Sequence, residues 1–81
     1  SISSELSNEL SYKFPGKIVV TAYMKGNKVN LSLRGKDIRD LGGKAMQNIE
    51  GTFGGHKDAC GASFKTEDLK KFKENLIKLV G

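Results

Sequence analysis

The sequence predicts an α/β fold: a single small domain in which a roughly three-stranded sheet, a hairpin plus one further strand, is packed by three helices. Three observations carry that expectation. Val29, Leu31 and Leu33 alternate strictly with Asn30, Ser32 and Arg34, the period of a half-buried strand. Just before them, Lys17 to Met24 is rich in Val, Ile, Thr and Tyr, and Lys25-Gly26-Asn27-Lys28 supplies the residues of a tight antiparallel turn. At the C-terminal end, Leu69, Phe72, Leu76 and Leu79 recur at helical spacing.

The elements follow in chain order. Ser3 to Phe14 reads as a short amphipathic helix, because Leu6 and Leu10 stand four apart among serines and glutamates and Pro15-Gly16 then stops it. In the first strand Ile18, Val20 and Ala22 share one side and Val19, Thr21 and Tyr23 the other. Both sides are apolar enough for an interior strand. In the second strand one face is core, and the other displays an amide, a hydroxyl and a guanidinium in a row. Asp37 is placed as the N-cap of a helix carrying Ile38, Leu41, Ala45 and Ile49, with Met46 beside them. Gly42-Gly43 weaken that helix by roughly 1 kcal/mol each relative to Ala. Glu50 to Gly55 reads as a glycine-punctuated loop, and Ala59 to Phe64 as the third strand. Thr66 is expected to cap the last helix, with Glu67 and Asp68 complementing its dipole and Ile77 and Val80 widening its buried stripe. Tyr12, Tyr23 and the phenylalanines are assigned to the core. No apolar stripe is left over for a dimerising surface once that core is filled.

Composition narrows the function classes. Eighty-one residues make one domain, over 1–81, and a chain opening on Ser1 is expected to be a piece of a longer protein. No apolar run approaches the roughly 20 residues that span a bilayer, so no membrane partner is expected. The lone Cys60 makes no internal disulfide, which fits a reducing, cytoplasmic setting. Fourteen Lys and Arg against nine Asp and Glu give a net charge of +5, which favours an acidic partner such as nucleic acid, although many of the lysines lie in the last helix.

The chemistry concentrates in Gly54-Gly55-His56-Lys57-Asp58-Ala59-Cys60-Gly61, which holds the chain's one histidine. Two glycines allow close backbone approach to a ligand, and their N–H groups can form an anion nest. An imidazole beside a phosphate is drawn toward its charged form. Arg34 can grip two phosphate oxygens with its planar fork, and Ser32, two residues earlier on the same strand face, offers a hydroxyl. The plain alternatives are that His56 is an ordinary loop residue, Arg34 a solvated strand end, Gly54-Gly55 a turn and Cys60 a small packing residue. One histidine and one cysteine do not make a zinc site, which takes three or four ligands. No acidic neighbour or second nucleophile supports Cys60 or Ser32 as a covalent catalyst.

The stretch Phe53-Gly54-Gly55-His56-Lys57-Asp58-Ala59-Cys60-Gly61-Ala62, preceded by Asn30-Leu31-Ser32-Leu33-Arg34, closely resembles the C-terminal DHH-associated domain of DHH phosphoesterases. That family includes RecJ-like single-strand exonucleases and small oligonucleotide phosphodiesterases. The resemblance covers nearly the whole chain. It implies a domain that closes over a cleft against a larger N-terminal domain, which holds a divalent metal centre, usually manganese. It also implies that Arg34, Gly54, Gly55 and His56, with Ser32 a weaker match, grip the phosphate of single-stranded or short nucleic acid or of a nucleotide. Two departures stand out. Some members have three glycines before the histidine where this chain has Phe53 and then two, and Cys60 replaces the second alanine of Ala-Ala-Gly. The chain has no Asp-His-His triplet and no Asp-x-Asp, so this domain is expected to contain no catalytic or metal-binding residue and to hydrolyse nothing by itself. A rival reading is a stand-alone nucleic-acid-binding module, since a related domain at the end of alanyl-tRNA synthetases contributes to tRNA binding. Those relatives tend to carry arginine where this chain has His56.

Overall fold

The computed structural model describes residues 8–81. It contains five strands, β1 (Asn8–Phe14), β2 (Ile18–Lys25), β3 (Lys28–Arg34), β4 (Gly51–His56) and β5 (Ala59–Lys65), and two α-helices, α1 (Ile38–Ala45) and α2 (Leu69–Val80). A 3-10 turn, Thr66–Asp68, leads into α2. The strands form one sheet in the order β1-β2-β3-β5-β4, with every neighbouring pair antiparallel. The expected three strands under three helices are therefore corrected: the described residues form a five-stranded antiparallel sheet with two α-helices.

Two segments account for the difference. Ser3 to Phe14 was expected to be helical; residues 1–7 lie outside the described part, and Asn8–Phe14 is a strand. Leu10, Tyr12 and Phe14 alternate with Glu9, Ser11 and Lys13, the period of two that a strand requires. Pro15-Gly16 does not stop a helix. It turns a hairpin in which Gly16 and Lys17 both take positive φ (81° and 62°) and Phe14 pairs with Ile18. Likewise Glu50 to Gly55 is no loop, because Gly51–His56 is the outer strand beyond β5. Glycine is disfavoured in strands, but pairing along a neighbour already in place supplies what propensity withholds.

The remaining elements stand close to their expected places. The β2–β3 hairpin turns at Gly26, whose φ is +62°. The alternation of β3 holds from end to end: Val29, Leu31 and Leu33 are buried, Asn30 and Arg34 exposed, and Ser32 half-buried. Asp37 is not a side-chain cap; it adopts a left-handed conformation with φ 58°, and its side chain makes no capping hydrogen bond. Thr66 makes no cap bond either, since its hydroxyl instead points to the carbonyl of Gly26 at 3.4 Å. On α2 the buried side chains are Leu69, Phe72 and Leu76, whereas Ile77 and Leu79 face outward, 46% and 41% exposed. Tyr23 is also exposed rather than in the core.

Both helices lie on the same face of the sheet. Val20, Ala22, Val29, Leu31, Leu33, Cys60, Ala62 and Phe64 from the strands meet Ile38, Ala45, Leu69, Phe72 and Leu76 from the helices in one core. The Phe64 and Phe72 rings stack with centroids 5.5 Å apart. Gly42 of α1 is small for a reason: a Cβ there would lie 2.6 Å from the Phe53 ring, so the glycine that weakens the helix lets β4 pack beneath it. Asn75 of α2 ties the two helices by donating to the carbonyls of Ala45 and Gln47 at 2.9 and 3.1 Å. No helix among the described residues is long and apolar enough to cross a membrane.

Candidate functional site

Among the described residues, the opposite face of the sheet carries no helix. Strand register determines what it displays, because cross-strand partners project to the same side and every second residue shares that side. Lys13 pairs with Val19, Val19 with Arg34, Arg34 with Ala59, and Ala59 with His56. These five residues form one row across the open face. The next row, two residues along, is Ser11, Thr21, Ser32, Gly61 and Gly54. The third is Glu9, Tyr23, Asn30, Ser63 and Thr52.

Arg34 and His56 therefore stand in the same row, two strands apart, with only the methyl of Ala59 between them. Two strand spacings separate their Cα atoms by about 10 Å, a gap that two long side chains can close around one anion. Beside this pair the second row is nearly bare. An added Cβ at Gly54 would meet nothing within 4 Å, and at Gly61 only the Leu31 carbonyl at 3.5 Å. The glycines leave this row poor in side chains, a trough in the register between the row of Arg34 and His56 and the row of Asn30, Ser63 and Thr52. Ser32 shares the row with the glycines. Ser63 Oγ has no hydrogen-bond partner among the described residues.

Gly54 and Gly55 do different things. Gly54 faces the trough, while Gly55 pairs with Cys60 on the core side at φ 142°. A Cβ at Gly55 would lie 2.6 Å from the Ala59 carbonyl oxygen and 2.7 Å from Cys60 Cα. The expected free anion nest is thus modified: both glycines belong to a paired strand. Because β4 is the sheet edge, alternation leaves every second N–H of this strand directed off the sheet.

The β4–β5 turn is held firmly. Gly35 N–H donates to the Asp58 carbonyl at 3.1 Å and Arg39 N–H to the Lys57 carbonyl at 3.1 Å. Asp58 Oδ1 accepts the Asp37 N–H at 2.9 Å. These bonds lock the turn after His56 to the segment after Arg34, so the two candidate ligands share one frame. Asp58 holds this turn in place, and its signal in the sequence is a short acidic residue in a two-residue turn. The same bonds use the first N–H groups of α1, with Ile38 N–H donating to Gly35 and Asp40 and Leu41 to Asp37, so that helix end offers no anion site.

Arg34 is exposed and spends one donor on the Leu33 carbonyl at 3.1 Å, leaving the rest of its fork available. His56 is exposed, and its carbonyl accepts from Cys60 Sγ at 3.0 Å. Burial pushes the Cys60 thiol above its usual range, with Arg39 and Arg34 pulling weakly the other way. Cys60 is thereby a buried packing residue. No cluster of three or more His, Cys, Asp or Glu among the described residues is placed to hold a metal ion.

The family model for the DHHA1 domain matches residues 1–81. The chain belongs to this family. The DHHA1 domain is the DHH-associated domain of DHH-family phosphoesterases and normally accompanies an N-terminal DHH catalytic domain. No curated protein and no solved structure matches the chain.

Proposed function

We propose that this DHHA1 domain is the substrate-gripping half of a RecJ-like, metal-dependent phosphoesterase acting on single-stranded or short nucleic acid. Arg34 and His56 would bind the phosphate from two sides, Ser32 would add a hydroxyl, and the Gly54 backbone would let the ligand approach the strand. The observation that carries this reading is the shared row: register alone sets the Cα atoms of Arg34 and His56 about 10 Å apart, beside the side-chain-free positions Gly54 and Gly61. Donors carried on a paired strand are positioned before the phosphate arrives, and the Arg34 guanidinium offsets charge that grows as phosphorus is attacked. The divalent ion, expected to be manganese, would belong to the DHH domain and supply the activated water. This chain's share is to hold and orient the phosphate.

An NMR titration of the amide spectrum with a 5′-phosphorylated single-stranded oligonucleotide tests the reading, on wild type and on His56→Ala. Saturable shifts around Ser32–Arg34 and Gly54–Lys57 that vanish in the variant are expected. Shifts spread over the lysines of α2 and erased by salt would instead favour a stand-alone binding module.

A further inference from the structure

The open face has a second charged end. Beyond the row of Tyr23, Asn30 and Ser63, the register brings Lys25 opposite Lys28 and Lys28 opposite Lys65. Parity puts these three ammonium groups on the same uncovered side as Arg34 and His56. All three residues are exposed, and among the described residues none forms an ion pair. Like charges directly opposite one another across strands are destabilising, so three in a row are a local conflict that the fold itself does not resolve.

Their position is fixed. Thr66 N–H donates to the Asn27 carbonyl at 2.8 Å, which pins the β2–β3 turn to the end of β5. A hollow of about 320 Å³ opens beside the row, lined by Lys28, Lys65, Thr52, Ser63 and one carboxylate, Glu50. Along β3, Arg34 stands six positions from Lys28, a span of about 20 Å at strand rise. Between the two basic ends lie the bare glycines, neutral hydroxyls and amides, and Tyr23, the one aromatic side chain on this face among the described residues. Glu9, beside Tyr23 on the outer strand, is the acidic group on that row.

Resting on the phosphate site above, we propose that the Lys25–Lys28–Lys65 row is a second phosphate-binding site on the same face. The substrate is then a single polynucleotide strand laid along β3 and β5, and not a lone phosphoester. Charge complementarity selects that occupant: two cationic ends with a polar, side-chain-poor track between them match a chain with regularly spaced negative charges. The span suits roughly four nucleotides, the low end of site sizes for single-strand-binding sheets. Tyr23 offers a π-face on which a base between the two ends can stack.

The test compares wild type with a Lys25→Gln, Lys28→Gln, Lys65→Gln triple variant and with a control triple, Lys70→Gln, Lys71→Gln, Lys78→Gln, on α2. Each is titrated with 5′-phosphorylated oligothymidylates of two and of six nucleotides at 50 and 200 mM salt. Wild type and the control are expected to bind the hexamer more tightly than the dimer. In the sheet variant that gain is expected to vanish while dimer affinity stays unchanged. Three lost phosphate contacts lower the salt slope by about 2, so the fourfold salt step should weaken hexamer binding about 20-fold less in the sheet variant than in wild type. A hexamer advantage that survives in the sheet variant, or is lost equally in the control, overturns the proposal. A dimer that leaves the Arg34 and His56 resonances unmoved counts against the phosphate site itself, a separable failure.

Discussion

The two faces of the sheet are built from the same strands, one residue out of step, and they answer to different demands. On the covered face, Leu33, Val20, Val29 and Phe72 are wholly buried and the packing tolerates no vacancy. On the open face, Ser32, Gly61 and Gly54 lie in line with space above them. Neighbouring glycines show the contrast most sharply. Gly55 is a glycine because its backbone and surroundings exclude a Cβ, whereas nothing in the fold requires Gly54 to be one. A position where the fold permits a side chain and the sequence has none is where a ligand's demands are most visible.

Substitutions can break or sharpen that division. The largest expected effect is on the covered face: Phe72→Ala removes a fully buried ring and should cost about 3–5 kcal/mol, read by urea denaturation. That is a large part of the stability of so small a domain. Gly55→Ala comes next. Its φ of 142° and the 2.6 Å approach to the Ala59 carbonyl should cost about 1–3 kcal/mol in thermal unfolding. Gly54→Ala, one residue away, should leave stability within about 0.5 kcal/mol while weakening phosphate binding. Equal stability losses at Gly54 and Gly55 would erase the distinction between the faces.

The smallest effect concerns Cys60. Burial raises its thiol above the usual range, outweighing the pull of Arg39 and Arg34. The folded state then holds the proton more tightly than the unfolded state does. The stability this contributes is complete below the ordinary thiol range and is lost as pH rises through the folded value. Wild type should therefore lose stability relative to Cys60→Ala as pH rises through and above the ordinary thiol range, measured by denaturation at each pH. A constant difference would mean that the thiol is not shielded.

Much of this was legible in the sequence, and the failures have physical causes. The β2–β3 hairpin and the polar face of β3 follow from period-2 alternation, and Arg34 and Ser32 come with them. The Gly54-Gly55-His56 motif was found, but not the strand it lies on, because three glycines in six residues conceal any periodicity. Thr52 and Ser63 were missed as borders of the trough for the same reason: only the pairing of β4 with β5 brings them together. In β1 the alternation of Leu10, Tyr12 and Phe14 competes in the sequence with the helical spacing of Leu6 and Leu10. Asp37 and Thr66 have cap-forming side chains, yet the fold uses other bonds at both places.

The central claim is that Arg34 and His56 hold one phosphate between them. A double-mutant cycle with Arg34→Gln and His56→Ala tests it most directly, following the phosphorus-31 resonance of a 5′-phosphorylated dinucleotide titrated into all four proteins. Shared binding predicts that each single change weakens affinity by about tenfold or more, and that the double change costs clearly less than the two together. Strictly additive losses, or single variants that bind as wild type does, would mean that the two side chains do not meet at a common phosphate.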